Sequence, residues 1–454
     1  MRHPWLLAAL FLFLPPARAA VAPANAPGLS ASRPNIVLIL CDDLGYGDLG
    51  CFGSDIIKTP NLDRLAAEGL KLTHCYASAP VCSPSRAGLM TGKTPYRLGI
   101  RDWIPPRSGI FLRTNEVTVA KLLKSAGYRT GLSGKWHLNS RVDGSEPTPG
   151  DHGFDHWLMT QNNAEPNHQD PVNFIRNGQA LGPQKGHATT LVTDEAIRFI
   201  ADSKTQPFFL YLAYHAPHET IETPEEWTKP YAHFADPHRK FYYGSVSLVD
   251  HEVGRLVREL ETRGLRENTL VIFTSDNGPE TLTRYRTAFR SHGSPGALRG
   301  MKLHVTEGGL RVPGIVSWPG RVKAGSVSSD PVNNTDFLPT LAALAGARLP
   351  QNSSLDGVSI LPLLEGNKLR RPSPIYWEYE KSIGLPWTLA LRDGPWKLLA
   401  DAKLQQFALH NLETDPTEAR DLAARHSGRV KRLAALLRER HAQVNTATAA
   451  SVKP

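Results

Sequence analysis

Cysteine is scarce, with 4 in 454 residues, at positions 41, 51, 75 and 82. So few exclude a disulfide-dense scaffold as the source of stability. An exported chain could pair them into two bridges. However, Cys41 closes an apolar run, where a free thiol serves as a small hydrophobe, and Cys82 lies in a polar motif, so a four-cysteine framework is not expected. Long apolar runs are missing too. Nothing approaches the roughly 18 uninterrupted apolar residues of a membrane-spanning helix, and no integral membrane segment is expected. Basic residues outnumber acidic ones, 52 to 43, yet they form no Lys/Arg-rich block and no nucleic-acid motif. That argues against a nucleic-acid partner and for a solvated surface. No internal repeat or low-complexity tract is present, which excludes a solenoid.

What is present begins with a leader. Arg2, the run WLLAALFLFL from Trp5 to Leu14, the Pro15-Pro16 break and the small residues Ala17 to Ala19 read as a secretory signal over residues 1–19. Its apolar core is too short to span a bilayer. The mature protein is therefore expected to be soluble and exported: periplasmic or secreted, or lysosomal or extracellular in a eukaryote. Loss of Arg2 and Arg18 turns the formal charge of +9 into +7. With 41% hydrophobic residues, 37 Gly and 36 Pro, the composition is that of a loop-rich globular protein, long enough for a large domain and a smaller one.

Several apolar runs of strand length stop at chemically capable residues. NIVLIL (Asn35 to Leu40) runs into Cys41-Asp42-Asp43, and TLVIFTS (Thr269 to Ser275) into Asp276-Asn277-Gly278. PFFLYLAY (Pro207 to Tyr214) ends at His215-Ala216-Pro217-His218, and YRTGLSG (Tyr128 to Gly134) at Lys135-Trp136-His137. Unbroken apolar runs are the signature of strands covered on both faces, and helical patterns begin between them at Asn61, Glu116 and Ser247. The alternation predicts an α/β fold with a mostly parallel sheet sandwiched by helices, whose ligands sit beyond the carboxyl ends of the strands. After Leu363 to Pro374 the character changes. Pro374 to Glu380, Trp387 to Ala400 with an Asp393-Gly394 hairpin turn, and Phe407 to Leu412 read as strands, followed by a helix from about Pro416 and a fraying tail from about Val444. These bounds predict a large domain over 33–366, a small α+β domain over 367–443 and a flexible tail over 444–454.

Asp42, Asp43, Asp276 and Asn277 supply hard oxygen donors from two strand ends, a set that suits calcium or magnesium better than zinc. Either acidic pair alone is most simply a turn; two of them after buried strands crowd carboxylates that need a cation. In CSPSRAG, Ser83 reads as a helix N-cap with Pro84 at the first helical position. This places Cys82 just before a helix and Arg86 one turn further in. A thiol in the field of that helix and of Arg86 is expected to be acidic and reactive.

CSPSRAGLMTGK (Cys82 to Lys93) resembles the signature of the sulfatases, in which C-x-P-S-R specifies oxidation of the cysteine to formylglycine. The likeness extends in order through RPNIVLILCDDLGYGDLGCFG, GLSGKWHLN, HGFDHW, PFFLYLAYHAPH, VIFTSDNGPE and LRGMKLHVTEGGLRVPGIVSWPG. It is nearest in flavour to the arylsulfatase A and N-acetylgalactosamine-6-sulfatase group. The resemblance implies an alkaline-phosphatase-like fold and hydrolysis of a sulfate ester, carried by a sulfated sugar or an aryl alcohol. It implies one calcium ion held by Asp42, Asp43, Asp276 and Asn277, with an oxygen of the modified Cys82 nearby, and a formylglycine-generating enzyme as maturation partner. Cys82 matches the nucleophile. Arg86 and Lys135 match groups that steady its hydrate and the sulfate charge, and His137 the group that takes a proton when sulfate is expelled. His218 and Lys302 match the positions that bind sulfate and protonate the departing oxygen, with His215 as the fallback for His218. Two other readings are a phosphate or phosphonate monoester hydrolase on the same scaffold and a catalytically inactive exported glycan-binding protein. Specificity is expected in the loops Asn162 to Phe174 and Arg284 to Gly296.

Overall fold

The computed structural model describes residues 29, 33–203, 205–351 and 353–451; the expected leader lies outside the described residues. One sheet holds eleven strands: β1 (Asn35–Cys41), β2 (Leu70–Tyr76), β3 (Arg129–Lys135), β4 (His156–Thr160), β5 (Ile175–Arg176), β6 (Gln179–Ala180), β7 (Phe208–Ala213), β8 (Thr269–Ser275), β9 (Arg311–Ser317), β10 (Ser326–Ser328) and β11 (Val332–Asn333). Their order is β10-β2-β9-β8-β1-β7-β3-β4-β5-β6, with β11 beside β2. The centre, β8-β1-β7-β3-β4, is parallel, whereas β9 runs antiparallel to both β8 and β2.

Every residue of β1, β7, β8 and β9 is buried. Side chains of β1 alternate between two cores: Ile36, Leu38 and Leu40 join one cluster, Val37, Ile39 and Cys41 the other. The helices Cys82–Thr91, Val119–Ser125 and Phe337–Ala345 cover the first face; Pro60–Ala67, Ala188–Asp202 and Pro237–Thr262 cover the second. Coverage of both faces is why these strands read as continuous apolar runs. The helix expected from Ser247 begins at Pro237, because Asp236 caps it by accepting from His238 N and Pro237 occupies the first turn. Since β8, β1, β7 and β3 are neighbours and parallel, their carboxyl ends share one rim.

A second, antiparallel sheet comprises β12 (Ile375–Glu378), β13 (Leu389–Asp393), β14 (Trp396–Ala400) and β15 (Phe407–Asn411). The terminal helix, expected from about Pro416, starts at Ser427. Asp415 and Asp421 divert the intervening backbone by accepting from Arg420 N, Leu409 N and Ala423 N. The helix then continues to Ser451, through the residues expected to fray, because Val444 is itself buried against the second sheet.

The two sheets are joined by buried charge. Lys397 Nζ of β14 lies 2.8 Å from Glu307 and 3.0 Å from Glu418, all with no side-chain exposure. Tyr76 at the end of β2 donates to Glu307 at 2.7 Å, and Arg392 of β13 donates to the Tyr76 hydroxyl. Removing one partner of a buried pair leaves an uncompensated charge. Lys397→Met is therefore expected to destabilise the protein by about 3 kcal/mol, read as a lowered urea midpoint. Adding Glu418→Gln should restore part of the loss. An unchanged midpoint in Lys397→Met would show that the network does not couple the sheets.

Candidate active site

The shared rim gathers the residues singled out by the strand-end pattern. Asp42 and Asp43 follow β1, Asp276 and Asn277 follow β8, Lys135 ends β3 and His218 lies just beyond β7. Bringing Lys135 alongside β7 requires a glycine before it. Gly134 has φ +114°, and a Cβ there would lie 1.9 Å from Ala213 O. Three residues without that freedom also adopt positive φ at the rim: Asp43 (63°), His137 (55°) and Leu303 (72°). Such conformations cost energy and persist where surrounding structure enforces them.

Cys82 is the first residue of its helix rather than the residue before it, and Ser83 is not the cap; the Ser83 hydroxyl instead accepts from Ile104 N at 3.0 Å. The thiol is 2% exposed. Burial pushes it above its ordinary value, and Lys135 and Lys302 offset this only in part, so the expected acidic thiol is not found.

Cations and carboxylates interleave around it. Arg86 donates to Asp276 Oδ2 from Nε at 2.9 Å and Nη2 at 2.7 Å, and from Nη1 to Lys135 O at 2.9 Å. Its fork thus holds the acidic strand ends. Lys135 Nζ sits 2.5 Å from Asp42 Oδ2. Lys302 Nζ sits 2.7 Å from Asp43 Oδ2 and 3.1 Å from Glu280 Oε2. Burial alone would raise Asp42, but Lys135, His218 and Arg86 outweigh it and hold its carboxyl well below the usual range. Asp276 goes the other way, pushed up by burial and by Asp42.

This donor set can hold a hard cation. Asp42, Asp43, Asp276 and Asn277 contribute only oxygen, and two buried acceptors, Asp42 Oδ1 and Asn277 Oδ1, have no hydrogen-bond partner. His218 closes on the same group, 3.6 Å from Asp43 Oδ2. Crowded carboxylates with unsatisfied oxygens fit calcium or magnesium.

The histidines divide by surroundings. His137 donates from Nε2 to Ile104 O at 3.2 Å, leaving Nδ1 buried and unpartnered. Burial, then Lys135 and Arg86, hold it well below the ordinary histidine value, so it is neutral. His218 donates from Nδ1 to Glu219 O and is held down to about 4, mainly by burial. His215 is turned away: its Nε2 pairs with Thr160 Oγ1 at 2.7 Å, and its ring packs on Phe174 and His168.

Cys82, His137 and His218 line a cleft of about 440 Å³, together with Trp103, Asn162, Asn163, Arg284 and Tyr285 among others. Three contributors have no signal in the sequence that assigns them a role. Asn163 accepts from Lys135 Nζ at 3.2 Å, Glu280 pairs with Lys302, and Arg284 faces the cleft. Glu280 lies in the motif VIFTSDNGPE; the other two lie in the loops expected to carry specificity.

Comparisons with known proteins agree with this geometry. Residues 34–347 match the family model "Sulfatase", and residues 301–446 match "N-sulphoglucosamine sulphohydrolase, C-terminal". The chain is 37% identical to human arylsulfatase A over 411 residues, covering 82% of this chain and 76% of that protein. It is 35% identical to human N-acetylgalactosamine-6-sulfatase over 371 residues, covering 75% and 67%. Among solved structures it is similar to Ps i-CgsB in complex with k-i-k-neocarrahexaose, with a TM-score of 0.81, 32% identity and coverage of 91% and 93%.

Proposed function

Because the chain belongs to the sulfatase family and is a sulfuric ester hydrolase, we propose that it hydrolyses a sulfated carbohydrate or aryl sulfate through an oxidised Cys82. The observation that carries this reading is the convergence of Cys82, neutral His137 and His218 on one cleft, with the buried Lys135 and Lys302 paired to Asp42 and Asp43 at the same strand ends. Oxidation of Cys82 by a generating enzyme that uses an external oxidant such as dioxygen, the C–S bond giving way to C=O and the sulfur departing, supplies an aldehyde whose hydrate carries two hydroxyls. One hydroxyl, its proton passing to a neighbouring strand-end carboxylate, attacks sulfur through oxygen while the S–O bond to the alcohol breaks, leaving the sulfo group on the hydrate.

The departing oxygen needs a proton. Lys302 carries one as an ammonium beside Asp43 and Glu280. His218, neutral in the free protein, becomes a second donor only when a bound anion draws a proton onto Nε2. In the second half, His137 Nδ1 takes the proton of the remaining hydroxyl, the carbonyl re-forms, and the C–O bond to sulfate breaks. Water then restores the hydrate. Arg86 holds Asp276 and the Lys135 carbonyl in place, so the cations are fixed before the reaction begins. A calcium ion held by Asp42, Asp43, Asp276 and Asn277 supplies a double positive charge against the sulfate.

Peptide mass spectrometry across residue 82 of matured protein, combined with matched aryl sulfate and aryl phosphate substrates, tests the reading. An aldehyde at residue 82 and sulfate release at least about 100-fold faster than phosphate release, roughly 2.7 kcal/mol of barrier, are expected. An unmodified thiol with full turnover overturns the aldehyde. Faster phosphate release favours the monoesterase, and binding without turnover favours the inactive glycan binder.

A further inference from the structure

Arg284 lines the same cleft yet takes no part in the machinery above. Among the described residues lining that cleft, it is the only arginine or lysine. Its side chain is 17% exposed, and its carboxylate partner, Glu280 Oε2, is 3.7 Å away and already held by Lys302 at 3.1 Å. The deeper cations differ: Arg86, Lys135 and Lys302 have no exposure, and each has a carboxylate within 2.7 Å.

A guanidinium has five donors in a fixed fork. One carboxylate 3.7 Å away, already shared with Lys302, leaves donors of that fork for a planar or tetrahedral anion. The ester sulfate already has Lys135 and Lys302, so Arg284 is available to the part of the substrate that leaves. Trp103 stands in the same cleft, its ring 6.5 Å from that of His137, and offers an aromatic face of the kind on which the apolar side of a sugar ring packs.

Resting on the sulfatase reading, we propose that Arg284 binds a second anionic group of the substrate, a carboxylate or a further sulfate on the leaving sugar, while Trp103 lies against its ring. The substrate class is then a polyanionic glycan rather than a singly charged aryl sulfate.

The test uses two sulfated sugars matched except for that second group, anionic in one and its neutral methyl ester in the other, and the two desulfated products. The wild type is expected to favour the anionic ester in kcat/KM by about 10- to 100-fold, mostly through KM, and to bind the anionic product more tightly by a similar factor. Both preferences should shrink with added salt. Arg284→Gln should abolish them, and Arg284→Lys, which keeps charge but loses the fork, should retain part. Equal losses on both esters in Arg284→Gln would mean that the guanidinium serves the scissile sulfate, and the proposal would be wrong. It would be equally wrong if the wild type bound the two products with the same affinity by calorimetry. Because product binding needs no turnover, the absence of sulfate release with product preference intact would sink the sulfatase reading and leave this one standing.

Discussion

Cys82→Ser is expected to transfer one sulfo group and then stop. Serine offers a hydroxyl in the same place, beside Lys135 and Lys302, so attack on sulfur remains possible. It carries no second hydroxyl on that carbon, so the sulfated side chain cannot collapse to a carbonyl and expel sulfate. Release would require water to attack a crowded, anionic sulfur. A steady-state rate lower by at least about 10⁴-fold is expected, as for loss of a covalent nucleophile, with up to one equivalent of alcohol released per protein molecule. Intact mass should show the added sulfo group on the peptide containing residue 82. Repeated turnover by the serine variant would mean that the hydrate is not needed.

His137→Ala is expected to produce the complementary defect. In the proposed mechanism the first transfer does not need the imidazole Nδ1, but the second half does, because that nitrogen is an unpartnered acceptor on the cleft that residue 82 also lines. Loss of a positioned general base typically costs 10²- to 10⁴-fold, here with a burst of alcohol and slow release of sulfate in rapid-quench kinetics. Since burial and the neighbouring cations lower the proton affinity of His137, the acid limb governed by this group in the wild type should fall below the ordinary histidine value of about 6.5. A His137→Ala enzyme without a burst, slowed equally in both halves, would place the histidine in a structural role instead.

Much of the architecture was legible because burial on both faces leaves a mark in composition. The runs ending at Cys41, Lys135, Tyr214 and Ser275 had to be central parallel strands, and parallel neighbours necessarily present their ends together. Asp42, Asp43, Asp276 and Asn277 could be grouped for that reason. Their partners could not be fixed in the same way. The helix that brings Arg86 to Asp276 starts at Cys82 rather than Pro84, a shift that local capping preferences did not reveal. The acidity expected of the thiol failed for a related reason: a helix start favours the thiolate only if water or a close cation replaces the lost hydration, and here burial dominates. Asn163 and Arg284 sit in loops without periodicity, where no pattern indicates which side chain turns inward.

Cys82 also belongs to a hydrophobic cluster shared by both sheets. Val81 and Cys82 pack in one group with Trp377 and Tyr379, at and just after β12, and with Ala390, Leu399 and Ala408 from the last three strands. These strands leave the ribosome long after residue 82, whose side chain therefore lacks this cover for as long as they are unmade or unfolded. Once they close, that side is packed and the cleft alone still reaches residue 82. A modifying catalyst too large to enter that cleft would have to act before the second sheet closes over residue 82.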